Sequence, residues 1–251
     1  TNADDFFGSY PAYSPDSKYI LTAGGYTVST WDAATGKLIS DDGGGNASVL
    51  FAFSPNQNNL FVGQSYSLGK DDFFTVLNTW NLEQDELTKI VEKKGLLNRL
   101  EVRSDGKVLA LSLDHDMVVL WDLSSNTEKC VILGEAPRFM HKSNNIFVLD
   151  AEIIKVFNSE TCELIKSLTS ELDVKDFVIN SDDTLIAMLE EDNTLIKVYD
   201  LRDRRILFTL KDGYFFPEKF SFNPEGGFIM MVREERKPIR NIVEIWKIPK
   251  N

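Results

Sequence analysis

Two cysteines, two histidines and no apolar run of membrane-spanning length put several protein classes out of reach of this 251-residue chain. Cys130 and Cys162 are too few for a disulfide scaffold, and their spacing fits neither a metal knuckle nor a redox pair. They read as buried or half-buried free thiols in a reducing compartment, the cytoplasm, with the nucleus as the alternative. A membrane helix needs about 18 consecutive apolar residues, and nothing here approaches that, so no membrane partner is expected. Positive charge is scarce: 27 Lys and Arg face 39 Asp and Glu, a net −12. Such a field repels phosphate backbones and disfavours direct nucleic-acid binding. The opening TNADDFF has no basic or apolar leader pattern and is not read as a signal peptide. Asn46-Ala47-Ser48 matches a glycosylation acceptor, a tripeptide too common to carry weight.

Helical periodicity is almost absent; in its place two signals recur about every 40 residues. The first is a tight turn: YSPDSKYI from Tyr13, FSPNQNNL from Phe53, RSDGKVL from Arg103, KSNNIFV from Lys142, NSDDTLI from Asn180 and NPEGGFI from Asn223. Ser, Pro, Asp, Asn and Gly gather there because a reversal needs a fixed φ, a side chain bonded to nearby backbone, or tolerance of positive φ. The second is an alternating run ending in an aromatic: Trp31, Trp80, Trp121, Phe157, Tyr199 and Trp246, separated by 49, 41, 36, 42 and 47 residues. Period-2 patterning around both signals predicts four strands of four to seven residues per unit. The units fall at about 6–40, 47–91, 97–133, 136–168, 173–210 and 217–251, within one domain over 1–251. A unit of this size cannot bury both its faces alone, and radial stacking is one of the few closures open to it.

The two proline-containing turns, the Trp31-Asp32 and Trp121-Asp122 pairs and the variant Tyr199-Asp200 resemble WD40 repeats over the whole chain. The resemblance implies an all-β, WD40-like propeller of six four-stranded units. The Gly-His dipeptide usual in such repeats is missing, His115 and His141 being the only histidines, so the expected member is divergent. It lacks the buried Asp-His-Ser-Trp network and holds its units together by apolar packing. The last unit ends at Ile248-Pro249-Lys250-Asn251 without a fourth strand. Either TNADDFF supplies an edge there, or the chain belongs to a longer array.

Catalytic clusters are few. Asp114-His115-Asp116 falls at a turn between the second and third strands of the third unit, and Asp182-Asp183 and Glu190-Glu191-Asp192 fall at turns of the fifth; all three read as solvated turns. His141 lies on the opposite rim from His115, which excludes a shared metal site. Gly43-Gly44-Gly45 reads as a flexible loop, since no helix follows to make it a phosphate cradle. No cofactor, metal or catalytic residue is expected. Recognition then belongs to loops, and the resemblance places Ser65–Phe74, Arg233–Asn241, Asp41–Asn46 and Lys211–Lys219 on one face, the top. Tyr66, Phe73, Tyr214 and Phe215 are the expected anchors. Arg233, Arg236, Lys237 and Arg240 form a basic cluster suited to an acidic or phosphorylated peptide. The resemblance implies a non-catalytic protein–protein interaction scaffold within a larger protein or complex. The alternatives are a hydrolase of a sugar or lactone in a central funnel, and an RNA-associated assembly subunit.

Overall fold

The computed structural model describes residues 11–24, 27–43, 48–55, 59–70, 72–84, 86–114, 116–168, 174–190, 195–203, 205–211, 217–223, 225–236 and 239–248. The chain divides into two compact units, Thr1–Pro137 and Arg138–Asn251. Unit one holds three antiparallel sheets in simple up-and-down order. The first is β1 (Ala12–Tyr13), β2 (Tyr19–Gly24), β3 (Thr27–Asp32) and β4 (Leu38–Gly43). The second is β5 (Ser48–Phe53), β6 (Asn59–Gly69), β7 (Asp72–Asn81) and β8 (Glu86–Lys94), and the third is β9 (Leu97–Val102), β10 (Val108–Leu113), β11 (Met117–Asp122) and β12 (Thr127–Leu133). The fourth sheet starts at the division and leads into unit two: β13 (Glu135–Phe139), β14 (Asn145–Asp150), β15 (Ile153–Asn158) and β16 (Leu164–Leu168). The fifth is β17 (Val174–Ile179), β18 (Leu185–Glu190), β19 (Leu195–Asp200) and β20 (Arg205–Lys211). The sixth has three strands among the described residues, β21 (Pro217–Phe222), β22 (Phe228–Arg236) and β23 (Ile239–Lys247), as expected of a last unit without its outer strand.

Both recurring sequence signals have a visible mechanism. In the turn between first and second strands, the backbone N–H of Ser14, Arg103, Met140, Asn180 and Asn223 each donates to the carbonyl five residues on. Three residues after Ser14, Arg103, Asn180 and Asn223 the chain takes positive φ, at Ser17, Gly106, Asp183 and Gly226, which is why small and Asx residues concentrate there. The polar residue after each of the first five aromatics is an Asx cap. Asp122 Oδ1 accepts from the amides of Ser124 and Ser125 at 2.8 and 2.9 Å, and Asp200 Oδ1 from those of Arg202 and Asp203 at 2.8 and 3.2 Å. Asp32, Asn81 and Asn158 cap their own turns in the same manner.

Apolar side chains between neighbouring sheets make the core. Leu21 and Val28 meet Val49, Leu60, Val62 and Trp80 between the first two sheets, and Leu77 and Leu97 meet Leu109, Leu111, Val119 and Trp121 between the second and third. Apolar packing is not the whole of it, contrary to expectation. Ser65 Oγ lies 2.9 Å from Thr75 Oγ1, which donates to the Gly95 carbonyl at 2.7 Å, while Leu97 N donates to Ser65 Oγ at 3.1 Å. This buried relay ties the second sheet to the third. In unit two, Asp183 accepts from the backbone amides of His141 and Lys142 at 2.9 and 2.7 Å, so it joins the fourth and fifth sheets rather than standing in solvent.

Other expectations are corrected. Ser65–Phe74 is not a loop: β6 and β7 run through it to a turn at Gly69–Asp72. Arg233–Asn241 is likewise strand, β22 reaching Arg236 and β23 starting at Ile239. In both places the cross-strand pairing of a two-stranded ribbon keeps the chain extended without a regular apolar alternation. Strands there reach 9 to 11 residues, beyond the predicted seven. Glu190 closes β18 and pairs with Lys197 at 2.6 Å. Neither cysteine is a free thiol; both are disulfide-bonded, which removes the thiol state as support for a reducing compartment.

Candidate functional site

The second sheet is taller than its neighbours. The last pair between β5 and β6 is Ser48 with Ser65, and the last between β7 and β8 is Phe74 with Lys94. Beyond Ser65, residues 66–69 of β6 pair with β7 alone, as a two-stranded ribbon. At about 3.3 Å per residue, four extra residues lift its tip by roughly 13 Å. Tyr66 stands directly across from Phe74, and their rings stack with centroids 5.7 Å apart and planes 20° apart. Tyr66 Oη donates to Glu92 Oε1 at 2.5 Å, and Lys89 Nζ donates to Glu92 Oε2 at 2.5 Å. Lys94 bonds Asp72 at 3.1 Å and lies 6.0 Å over the Phe74 ring. Gly95 N donates to the Phe73 carbonyl at 2.8 Å, bracing the ribbon from behind. Leu68, near the tip, is 71% exposed.

The electrostatics follow from these contacts. The bonds from Lys89 and then Tyr66 hold the Glu92 carboxyl below its ordinary range, and the bond to Glu92 raises the Tyr66 phenol above its own. The result is a braced platform, not a titrating site at neutral pH.

Tyr66 and Phe73 do not face the same way. In the register, Tyr66 pairs with Phe74 and Ser67 with Phe73, so the aromatic partner of Tyr66 is Phe74, which sequence reasoning passed over. Parity would have found it: across a tight turn, paired positions sum to a constant, here 140. Arg233, Arg236 and Arg240 lie within β22 and β23, with side chains outside the described residues. Tyr214, Phe215, Lys237 and His115 lie outside them entirely. Of the repeat aromatics, Trp80 and Trp121 are buried, Trp31, Phe157 and Tyr199 are half-buried, and Trp246 is 42% exposed.

At the other end of the second and third sheets lies a cleft of about 470 Å³, lined in part by Thr79, Thr88, Lys89, Asp105, Ser124 and Asn126. Its carboxylate is committed: Arg103, 2% exposed, donates to Asp105 from Nε at 2.9 Å and from a terminal guanidinium nitrogen at 2.7 Å. That fork holds the Asp105 carboxyl below its ordinary range. Among the described residues no three His, Cys, Asp or Glu side chains come together as a metal site.

No protein-family model and no curated protein matches the chain. Solved structures do match it. A chain of a mitotic checkpoint complex aligns over 99% of this chain and 79% of its own, at 14% identity and a TM-score of 0.78. Hsv2 of Kluyveromyces lactis with its complete loop 6CD aligns over 96% of this chain and 73% of its own, at 12% identity and 0.68. The same protein with that loop replaced by a Gly-Ser linker gives 95% and 76%, again at 12% and 0.68. The fold is therefore that of a divergent WD40-like β-propeller whose six sheets are its blades. In all, 1576 solved chains match, and a fold so widely shared assigns no single function.

Proposed function

We propose that this chain is a non-catalytic protein-interaction scaffold and that the ribbon at Tyr66–Phe74 is its principal contact element. One observation carries the reading: a half-buried Tyr66–Phe74 stack braces the base of a hairpin in the second blade whose tip presents an exposed leucine, Leu68. Rigid aromatic area with low entropy to lose is the usual anchor of a protein interface. Membership of an assembly by one of the matched chains, that of the mitotic checkpoint complex, supports the same reading by analogy. Against hydrolysis, the cleft carboxylate is locked to a buried arginine and offers no free base. Independently of the ribbon, the basic residues Arg233, Arg236 and Arg240 of the sequence suit an acidic or phosphorylated segment.

The test compares the tagged chain with its Tyr66→Ala/Leu68→Ala variant. Proteins that co-purify with the parent are expected to be lost from the variant while it still unfolds cooperatively, with a Tm lowered by only a few degrees, because Leu68 is in solvent and Tyr66 is half-buried at the sheet's end. Retention of the same proteins by a folded variant removes the ribbon from the function.

A further inference from the structure

The cleft between the second and third sheets is open where two matching seams are closed. Thr79, on its wall, precedes the repeat aromatic Trp80, as Thr30 precedes Trp31 and Val198 precedes Tyr199. Thr30 pairs with Leu21, whose face meets the second sheet, and is 2% exposed. Val198 packs with the sixth sheet and is 0% exposed. Thr79 is only half-buried, with the cleft of about 470 Å³ in front of it. That volume lies within the roughly 300–1,000 Å³ usual for ligand pockets. Every wall residue, from Ser54 to Asn126, belongs to unit one.

The walls are chemically specific. Both of their charged side chains are neutralised by partners outside the lining: Lys89 Nζ donates to Glu92 Oε2 at 2.5 Å, and Asp105 is forked by Arg103. An ion entering the cleft would give up water without gaining an unpaired opposite charge. Phe61, Ile90 and Leu123 supply apolar area. The hydroxyls of Thr88 and Ser124 make no hydrogen bond among the described residues. Asn126 Oδ1 accepts from Trp121 Nε1 at 3.1 Å, which orients the amide and leaves Nδ2 as a donor. One border of the cleft is a sheet edge. Among the described residues β8 pairs with β7 alone, and at 9 residues it is the longest of the fourth strands.

We infer that this cleft binds an extended, uncharged peptide segment of another protein, with one apolar side chain seated on Phe61, Ile90 and Leu123. Each peptide unit brings a carbonyl acceptor and an N–H donor. Asn126 Nδ2 and the two hydroxyls meet the carbonyls, and the edge of β8 meets alternate backbone groups as a strand would. A sugar fits less well, because its hydroxyls must donate as well as accept and the one carboxylate on the walls is held by Arg103. The two ends of this sequence, TNADDFF and IPKN, both carry charge that the cleft does not match. The site lies at the other end of the second sheet from the ribbon and takes a different ligand from the basic residues, so each proposal can fail without the other.

Random seven-residue peptides displayed on phage and selected on the immobilised full chain test the inference. The expected consensus is one aliphatic or aromatic residue among uncharged ones, spelling no stretch of this chain. The selected peptide, made with acetylated and amidated ends, is expected to bind the parent chain in fluorescence anisotropy. Two variants should bind it roughly tenfold more weakly or worse. Thr88→Trp fills the mouth of the cleft, and Asn126→Asp keeps the acceptor for Trp121 while removing the donor. Both side chains are exposed, so the Tm of each variant should move by less than about 2 °C. Affinity for the Tyr66→Ala/Leu68→Ala chain should be unchanged, which separates the cleft from the ribbon. No enriched peptide, a charged consensus, one copied from this chain, binding that survives either cleft variant, or binding lost with the ribbon overturns the inference.

Discussion

Gly63 sits in β6 where a Cβ would stand 2.2 Å from Leu97 Cδ2, a side chain that is itself 2% exposed. The glycine is there so that the second and third sheets can close on each other. Gly63→Ala is expected to cost about 1–3 kcal/mol through overpacking, read as a lowered urea midpoint; a neutral result would show that Leu97 has room to turn. At this scale the sequence is legible wherever a residue type has one local job. Asp32, Asp122 and Asp200 follow aromatics because their carboxylates cap the next turn, and that shows in the spelling. It is illegible wherever the job depends on a distant neighbour. Gly63 looks like any strand glycine, and Cys130 and Cys162 look like stray thiols although both are in a disulfide. Nothing in residue spacing reports which side chains the fold brings together.

Among elements, the third strands can be ranked by what lies beside them. Trp121 is buried between sheets and flanked by β12, so Trp121→Ala is expected to cost about 3–5 kcal/mol. Trp246→Ala, 42% exposed on β23, should cost only about 1 kcal/mol. Equal losses in the isolated chain, measured by denaturant titration, would contradict the difference in exposure. The strands themselves are legible because period-2 alternation and recurring aromatics fix them independently of context. Their lengths are not. SYSLGKDDFF and REERKPIRN carry turn formers and charges, which read as loops, yet cross-strand backbone pairing holds each of them extended without a regular apolar pattern. The exposure of Phe228, Met230, Val243 and Ile245 is hidden for a related reason: FIMMV and IVEIW are spelled like LIAML and LIKVY, and burial is a property of the neighbour.

For the molecule as a whole, acid is the condition that should matter most. Bonds from Arg202 and from nearby backbone amides bring the Asp200 carboxyl down to about 2. Asp32, Asp122, Asp182 and Asp105 are each held below the ordinary range, by bonds from Thr35, the Ser125 amide, Thr184 and Arg103 respectively. A carboxyl lowered on folding contributes stability that is fully present above its unfolded value, near 3.8, and is lost as the pH falls through the folded one. The denaturation midpoint is therefore expected to hold down to about pH 4 and to fall steeply toward pH 2, with a shallower fall for Asp200→Asn. A midpoint that stays level through that window would show that the caps form equally in the unfolded chain.

The exposure of Phe228, Met230, Val243 and Ile245 has a further bearing on how the polypeptide keeps in solution. Four greasy side chains in water invite self-adhesion, and at about 0.1 M salt the surplus of carboxylates acts over only about 10 Å. Colloidal repulsion of that short reach is the guard against clumping, so the purified material is expected to keep best in dilute buffer.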